Sequence, residues 1–336
     1  MDFTYKIYLD LLKTLLRQGF SFCTLSGLPQ APTTAKTIIL RHDVEEKYGH
    51  ALTFAQIQYK LGIKGSFYFR LFQVAGNEEV IKQIAALGHE IGYHYDDLSE
   101  CQGDYQKAIQ RFEKNLHYLR KFGPVTTMTM EGAPRSKYDN RMLWLGRLEE
   151  MSEEMGRRGE DVRRRRGEGV NGRRREVELG EFHHPLTPSP THPLTPSSTH
   201  ALTPTSDQTR PHYNYHNYSI STEPYFDVNF DDFFYLTDTG RRWDGWKVSV
   251  RDKVPQQADW VKQGLVFRST TDIIRAANEG RLPDKIMITF HPQRWTDNPF
   301  LWIKELVMQK VKNQVKRALI GRQERVKTRK GEDEKG

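Results

Sequence analysis

The chain has 336 residues, 37% of them apolar and 28% charged, with a formal net charge of +8. That balance excludes an intrinsically disordered or fibrous protein and suffices for one large core. Most of the charge is local: residues 310–336 hold ten Lys/Arg against four acids, which supplies +6 of the +8 and leaves the body nearly neutral.

The opening Met1-Asp2-Phe3-Thr4-Tyr5-Lys6 lacks the cationic start of a secretory signal, and Leu11 to Arg17 is interrupted by cations. Neither a signal peptide nor a membrane span is expected, so the expected location is cytoplasmic. Cys23 and Cys101 have no CxxC spacing and read as packing thiols. From the N-terminus, apolar periodicity and punctuation predict a helix over Tyr5 to Gln18 and a strand over Thr37 to His42. A helix over Tyr48 to Leu61 and a strand over Gly65 to Phe69 follow. Next come a helix over Asn77 to Leu87, a strand over Glu90 to Tyr95, a helix over Asp104 to Phe122 and a strand over Thr126 to Met130. Strand and helix alternate, which implies a parallel sheet with helices outside.

From Gly146 to His212 the composition changes. The first half is almost all Arg, Glu and Gly; the second repeats an eight-residue Pro/Thr/Ser unit from His184, His192 and His200. No solenoid has that period, and the segment reads as a disordered insertion. Ten Arg are balanced by ten Asp/Glu between Arg147 and Glu181, so no nucleic-acid partner is expected. The chain therefore divides into a first part of a barrel at 1–145, an insertion at 146–212, a second part at 213–320, and a basic, disordered tail at 321–336. In the second part, strands are expected at Tyr225 to Val228, Phe233 to Leu236, Lys247 to Val250 and Lys285 to Phe290. Helices are expected at Thr271 to Glu279 and from Pro299 to Ile320. The expected fold is α/β, a distorted (β/α) barrel, because polar residues recur at strand ends.

Those strand ends carry the chemistry. Asp43 and Glu45 flank one apolar residue where the first buried strand gives out. If extension continues there, both point to one face, one to hold a divalent cation and one to take a proton from water; alternatively, Asp43 to Glu46 is a helix N-terminus. His89 and His94 lie on opposite sides of their strand, so only one enters a site, and Asp96 and Asp97 follow as further donors. His291 ends the run Ile286-Met287-Ile288 before Pro292, as a buried structural histidine or a general acid. The segment Leu236 to Trp246, with Arg242 and Trp243, is a substrate-binding loop or a packed turn, and Trp295 is a candidate for the same cleft.

Leu40 to Glu45, Gly65-Ser66-Phe67-Tyr68-Phe69, Gly88-His89-Glu90-Ile91-Gly92-Tyr93-His94 and Ile288-Thr289-Phe290-His291-Pro292 resemble the ordered motifs of the polysaccharide deacetylase superfamily (NodB-type, carbohydrate esterase family four). The resemblance implies a metal-dependent hydrolase that removes N-acetyl groups from an amino sugar or polysaccharide, with zinc the expected ion. It implies Asp43 as base, Glu45 and His94 as metal ligands and His291 as acid. Leu98 stands where the family carries a second metal histidine, which leaves Asp97 or Asp96 to substitute, and Val44 stands where it carries a second acid. The family's third motif is matched loosely by Gly132-Ala133-Pro134-Arg135, making Arg135 a substrate-binding candidate. The alternative expectation is a barrel that has lost the metal and binds a carbohydrate or a partner without catalysis.

Overall fold

The computed structural model describes residues 1–30, 36–71, 77–145, 213–244, 249 and 251–314. Seven parallel strands make one sheet: β1 (Ser21–Cys23), β2 (Thr37–Val44), β3 (Ser66–Phe69), β4 (Glu90–Tyr95), β5 (Met128–Met130), β6 (Phe234–Thr237) and β7 (Lys285–Phe290). The order β5-β4-β3-β2-β7-β6 gives a curled half-barrel of the α/β class, in which β5 and β6 are not paired with each other among the described residues.

β2 organises the sheet. One of its edges pairs Thr37–His42 with Lys285–Phe290 of β7; the other holds β1 against Thr37–Ile39 and then β3 against Arg41–Val44. Every residue of β2 is buried, as a parallel strand covered on both faces must be. Alternation sends His42 outward, where it stacks on Phe67 and meets Phe54 of the helix Tyr48–Lys60. It sends Arg41 and Asp43 inward, where their side chains pair.

The helices form where the sequence supplies caps and apolar stripes. Thr4 accepts from the Ile7 amide to start Tyr5–Arg17, which buries Tyr8, Leu11, Leu12 and Leu15. Ser269 and Asp272 form a capping box on Thr270–Asn278. Between helices and sheet lies an aromatic layer of Tyr8, Phe54, Phe290, Trp243 and Trp295.

The expected strand at Tyr225 to Val228 is instead a short helix, Pro224–Asp227. Proline at its first position fixes the backbone there, and the Glu223 carboxylate accepts from the Tyr225 amide. β1 and the helix Gln257–Lys262 carry too few periodic residues to have been read from the sequence. The strand expected at Lys247 to Val250 lies outside the described residues except for Ser249. The described residues of 1–144 and 213–314 make one compact unit. The insertion expected at 146–212 and the tail expected at 321–336 lie outside the described residues.

Gly92 in β4 marks where the sheet interior is tightest. A Cβ there would run into the Tyr68 ring and lie 3.1 Å from the Thr127 carbonyl. Tyr68 cannot swing away, because its hydroxyl is bonded to Thr127 Oγ1 at 2.9 Å within the buried interior. Gly92→Ala is therefore expected to destabilise by about 1–3 kcal/mol, read as a lowered midpoint in urea unfolding with an unchanged slope.

Candidate active site

The C-terminal ends of the strands open into a cavity of about 940 Å³, lined among others by Asp43, Glu45, His94, Glu131, Arg135 and His291. β2 delivers Asp43, and the chain turns at Lys47 (φ 52°) before the next helix, leaving Glu45 on the cavity side. Asp43 lies within the strand and the helix begins only at Tyr48, so these acids do not form a helix N-terminus. Asp43 is held by Arg41 in a bidentate pair, Nε and Nη2 each 2.8 Å from a carboxylate oxygen, with both side chains buried.

His89, just before β4, and His94, within it, turn to opposite sides. His89 turns to the helices, its Nδ1 accepting from the Gly65 amide at 3.2 Å and its Nε2 3.0 Å from the Ala55 carbonyl. His94 turns inward. Its Nδ1 lies 3.1 Å from the Thr129 carbonyl, which sets the tautomer by accepting the Nδ1 hydrogen and leaves Nε2 facing Glu131 Oε2 at 3.1 Å.

Glu131 follows β5 and is fixed at its other oxygen by the Ala133 amide at 2.9 Å. With Glu45 and His94 it forms a cluster whose ligand atoms all lie within 4.8 Å of one another. Burial pushes the His94 imidazole down, but the charges of Asp43 and Glu131 outweigh it and raise it to about 9. Burial opposes ionisation of Glu131, yet the His94 contact and Arg70 hold its carboxyl well below the usual range. Two carboxylates converging on one imidazole make a space that favours positive charge, which a proton or a divalent cation satisfies.

The second half of the site comes from β6 and β7. His291 Nδ1 lies 2.5 Å from Asp238 Oδ1, and the His291 amide donates to both oxygens of that carboxylate at 3.1 Å. Asp238 also accepts from the Trp295 indole at 2.6 Å and from Arg294 at 3.4 Å. Burial opposes its ionisation, but His291, Arg294 and Trp295 together hold the Asp238 carboxyl below its ordinary range. The imidazole is thereby oriented with Nε2 toward the cavity, 3.7 Å from Glu45 Oε1. Glu45 thus joins the Glu–His–Glu cluster to the His291 pair.

The other sequence candidates fall elsewhere. Asp97 does not join the cluster: its carboxylate is buried against Tyr93, Arg111 and Asn115, with Tyr93 Oη at 2.9 Å and Arg111 at 2.6 Å. Burial raises it to about 7. Arg135 is exposed on the cavity wall, in a loop pinned by Arg251, which donates to the Gly132, Ala133 and Ser136 carbonyls. Trp243 and Trp295 are buried in the aromatic layer, their indoles donating to Thr270 and Asp238, so neither offers a face to a sugar ring. Arg242 is paired with Asp244 at 2.8 Å and lies off the cavity lining. Glu131 and Asp238, which the sequence reading passed over, directly follow β5 and β6 as His291 follows β7, and that position was the signal available for both.

No family model and no curated protein matches the chain. Among solved structures it is similar to a family 4 carbohydrate esterase from Bacillus anthracis, at 17% identity and a TM-score of 0.29, over 41% of this chain and 62% of that one. It is also similar to the peptidoglycan deacetylase PdaC from Bacillus subtilis, at 14% identity and 0.25, over 30% and 51%. A third is the family 4 carbohydrate esterase PdaA of Bacillus subtilis, at 18% and 0.26, over 36% and 50%. The chain thus spans between half and three-fifths of these proteins' lengths.

Proposed function

We propose that the chain is a metal-assisted amide hydrolase that releases acetate from an N-acetylated sugar or glycan. The observation that carries this reading is the meeting, in one cavity, of the Glu45–His94–Glu131 donor set with an Asp238-oriented His291 whose Nε2 lies 3.7 Å from Glu45. The donor set of one imidazole and two carboxylates fits a divalent ion such as zinc. When bound, such an ion lowers the pKa of a water and polarises a carbonyl.

The chain's own residues do the rest. Asp43, kept in place by Arg41, accepts the proton of the attacking water. His291, its Nδ1 hydrogen given to Asp238, delivers a proton from Nε2 to the departing nitrogen, and Asp238 fixes which ring nitrogen faces the substrate. Arg135, exposed on the cavity wall, is the group we assign to meet the sugar. Leu98, buried where the motif resemblance calls for a second metal histidine, favours the competing reading of a carbohydrate-binding protein without catalysis.

Metal analysis combined with acetate release from N-acetylglucosamine oligomers separates the two. The full chain is expected to retain about one divalent ion, to lose activity on dialysis against a chelator and to regain it on adding zinc. Glu131→Gln removes one of the three donors and is expected to weaken metal retention at least about tenfold. A chain that holds no metal and shows no acetate release above background would sink the hydrolase reading.

A further inference from the structure

The helix over residues 299–314 presents an apolar stripe to solvent that the hydrolase reading leaves unused. Its inner face is fixed to the body: the Trp302 indole donates to the Asp2 carbonyl at 2.7 Å, and Asn313, itself bonded to Gln309, donates to the Gly240 carbonyl at 2.9 Å. At about 3.6 residues per turn, positions 300, 303, 307 and 311 fall on the opposite side. Phe300 is 82% exposed, Ile303 55%, Val307 56% and Val311 56%, with Leu301 and Met308 exposed on the flank.

The exposed charges on the helix itself have one sign. Lys304, Lys310 and Lys312 are exposed beside it. Glu305, the one acid within 299–314, is turned to the body and paired with Lys47 at 3.1 Å. The sequence continues with Lys316, Arg317, Arg322, Arg325, Lys327, Arg329 and Lys330 against Glu324 alone through residue 330. An apolar stripe flanked by cations is the chemistry of a helix that lies in the headgroup region of an anionic bilayer. A second copy of the chain fits less well, because pairing the stripe with itself brings the same lysines together.

We propose that this helix is a peripheral docking surface for anionic phospholipid, with Phe300, Ile303, Val307 and Val311 entering the acyl boundary and the lysines meeting phosphates. The surface is independent of whether the cavity is catalytic.

The test is sedimentation of the full chain with vesicles of phosphatidylcholine alone or with added phosphatidylglycerol. Binding is expected to need phosphatidylglycerol and to weaken with salt. Phe300→Ser with Val307→Asp is expected to lower partitioning at least about tenfold, and Lys304→Glu with Lys312→Glu to remove much of the dependence on phosphatidylglycerol. Both pairs lie on the exposed side, so thermal unfolding should be unchanged, which separates lost docking from lost fold. Absence of binding to anionic vesicles overturns the proposal. So does binding that the apolar pair leaves intact, which would place it in the basic sequence alone. A concentration-dependent dimer in sedimentation velocity that the apolar pair dissolves would overturn it in favour of a second copy.

Discussion

His291→Ala is expected to lower acetate release by about 10²–10⁴-fold, the range for loss of a positioned acid or base, with metal content unchanged. The imidazole lies outside the Glu45–His94–Glu131 cluster, touching it only across the 3.7 Å to Glu45, so its removal leaves all three donors in place. Metal content is therefore the control that distinguishes loss of the proton donor from loss of the ion. Asp238→Asn should fall in the same direction for a different reason. An amide either presents its NH₂ to His291 Nδ1 or accepts as before without charge, so the ring loses the partner that fixes its tautomer. It also replaces a carboxylate that accepts from the His291 amide and the Trp295 indole, and a lowered unfolding temperature should accompany the lost activity. If His291→Ala turned over like the parent chain, the assignment of His291 as acid would fail even with metal bound.

The sequence made the scaffold legible where elements are long and periodic. β2, β3, β4 and β7 and the helices Tyr48–Lys60, Glu78–Ala86 and Thr270–Asn278 lie within about two residues of expectation, because a parallel sheet buried on both faces demands unbroken apolar runs and its helices demand stripes. Pro224–Asp227 was misread for a local reason. Tyr225, Phe226 and Val228 have strand-forming side chains, but the Glu223 cap and proline at the first helical position decide the backbone. In the site, Asp43, Glu45, His94 and His291 were visible as ionisable groups at the ends of apolar strands, and the structure brings their side chains to one cavity. Glu131 and Asp238 stand at equivalent ends, but β5 is three residues long and Asp238 is followed by turn formers, so neither stood out. For Trp243 and Trp295 the sequence left cleft and packed turn both open, because an indole beside arginines looks the same whether it lines a cleft or fills a core. Only the packing against Phe290 and the bonds to Thr270 and Asp238 tell the two apart.

The largest stability effect is expected at Arg41, which the strand carries into the interior as the cation for several acids. It pairs with Asp43 at 2.8 Å and lies over the Tyr225 ring at 5.5 Å. Its charge also reaches Asp252, which accepts from the Tyr225 and Tyr235 hydroxyls at 2.6 and 2.5 Å and from Thr237 and Thr239. Burial opposes ionisation of Asp252, but the charges of Arg41 and His291 and the bonds from Thr239 and Tyr225 bring it from 3.8 to about 2. Arg41→Met leaves the Asp43 carboxylate buried without its partner, and breaking such a pair on one side costs about 3–5 kcal/mol. Adding Asp43→Leu removes the stranded charge and should recover part of that loss, since a buried pair replaced by apolar groups is often nearly neutral. The pH dependence has a definite sign. A carboxylate whose folded pKa is depressed contributes stability above its unfolded pKa and loses it as pH falls, so in the parent chain the Asp252 contribution disappears between about pH 4 and about pH 2. In Arg41→Met the guanidinium's share of that contribution is gone while the shares of His291, Thr239 and Tyr225 remain, and the stability gap between the two chains should narrow over the same interval. Urea midpoints measured for parent, single and double variants at neutral pH and near pH 3 check both statements. A single variant as stable as the parent at neutral pH would show that Arg41 is not the charge around which this interior is built.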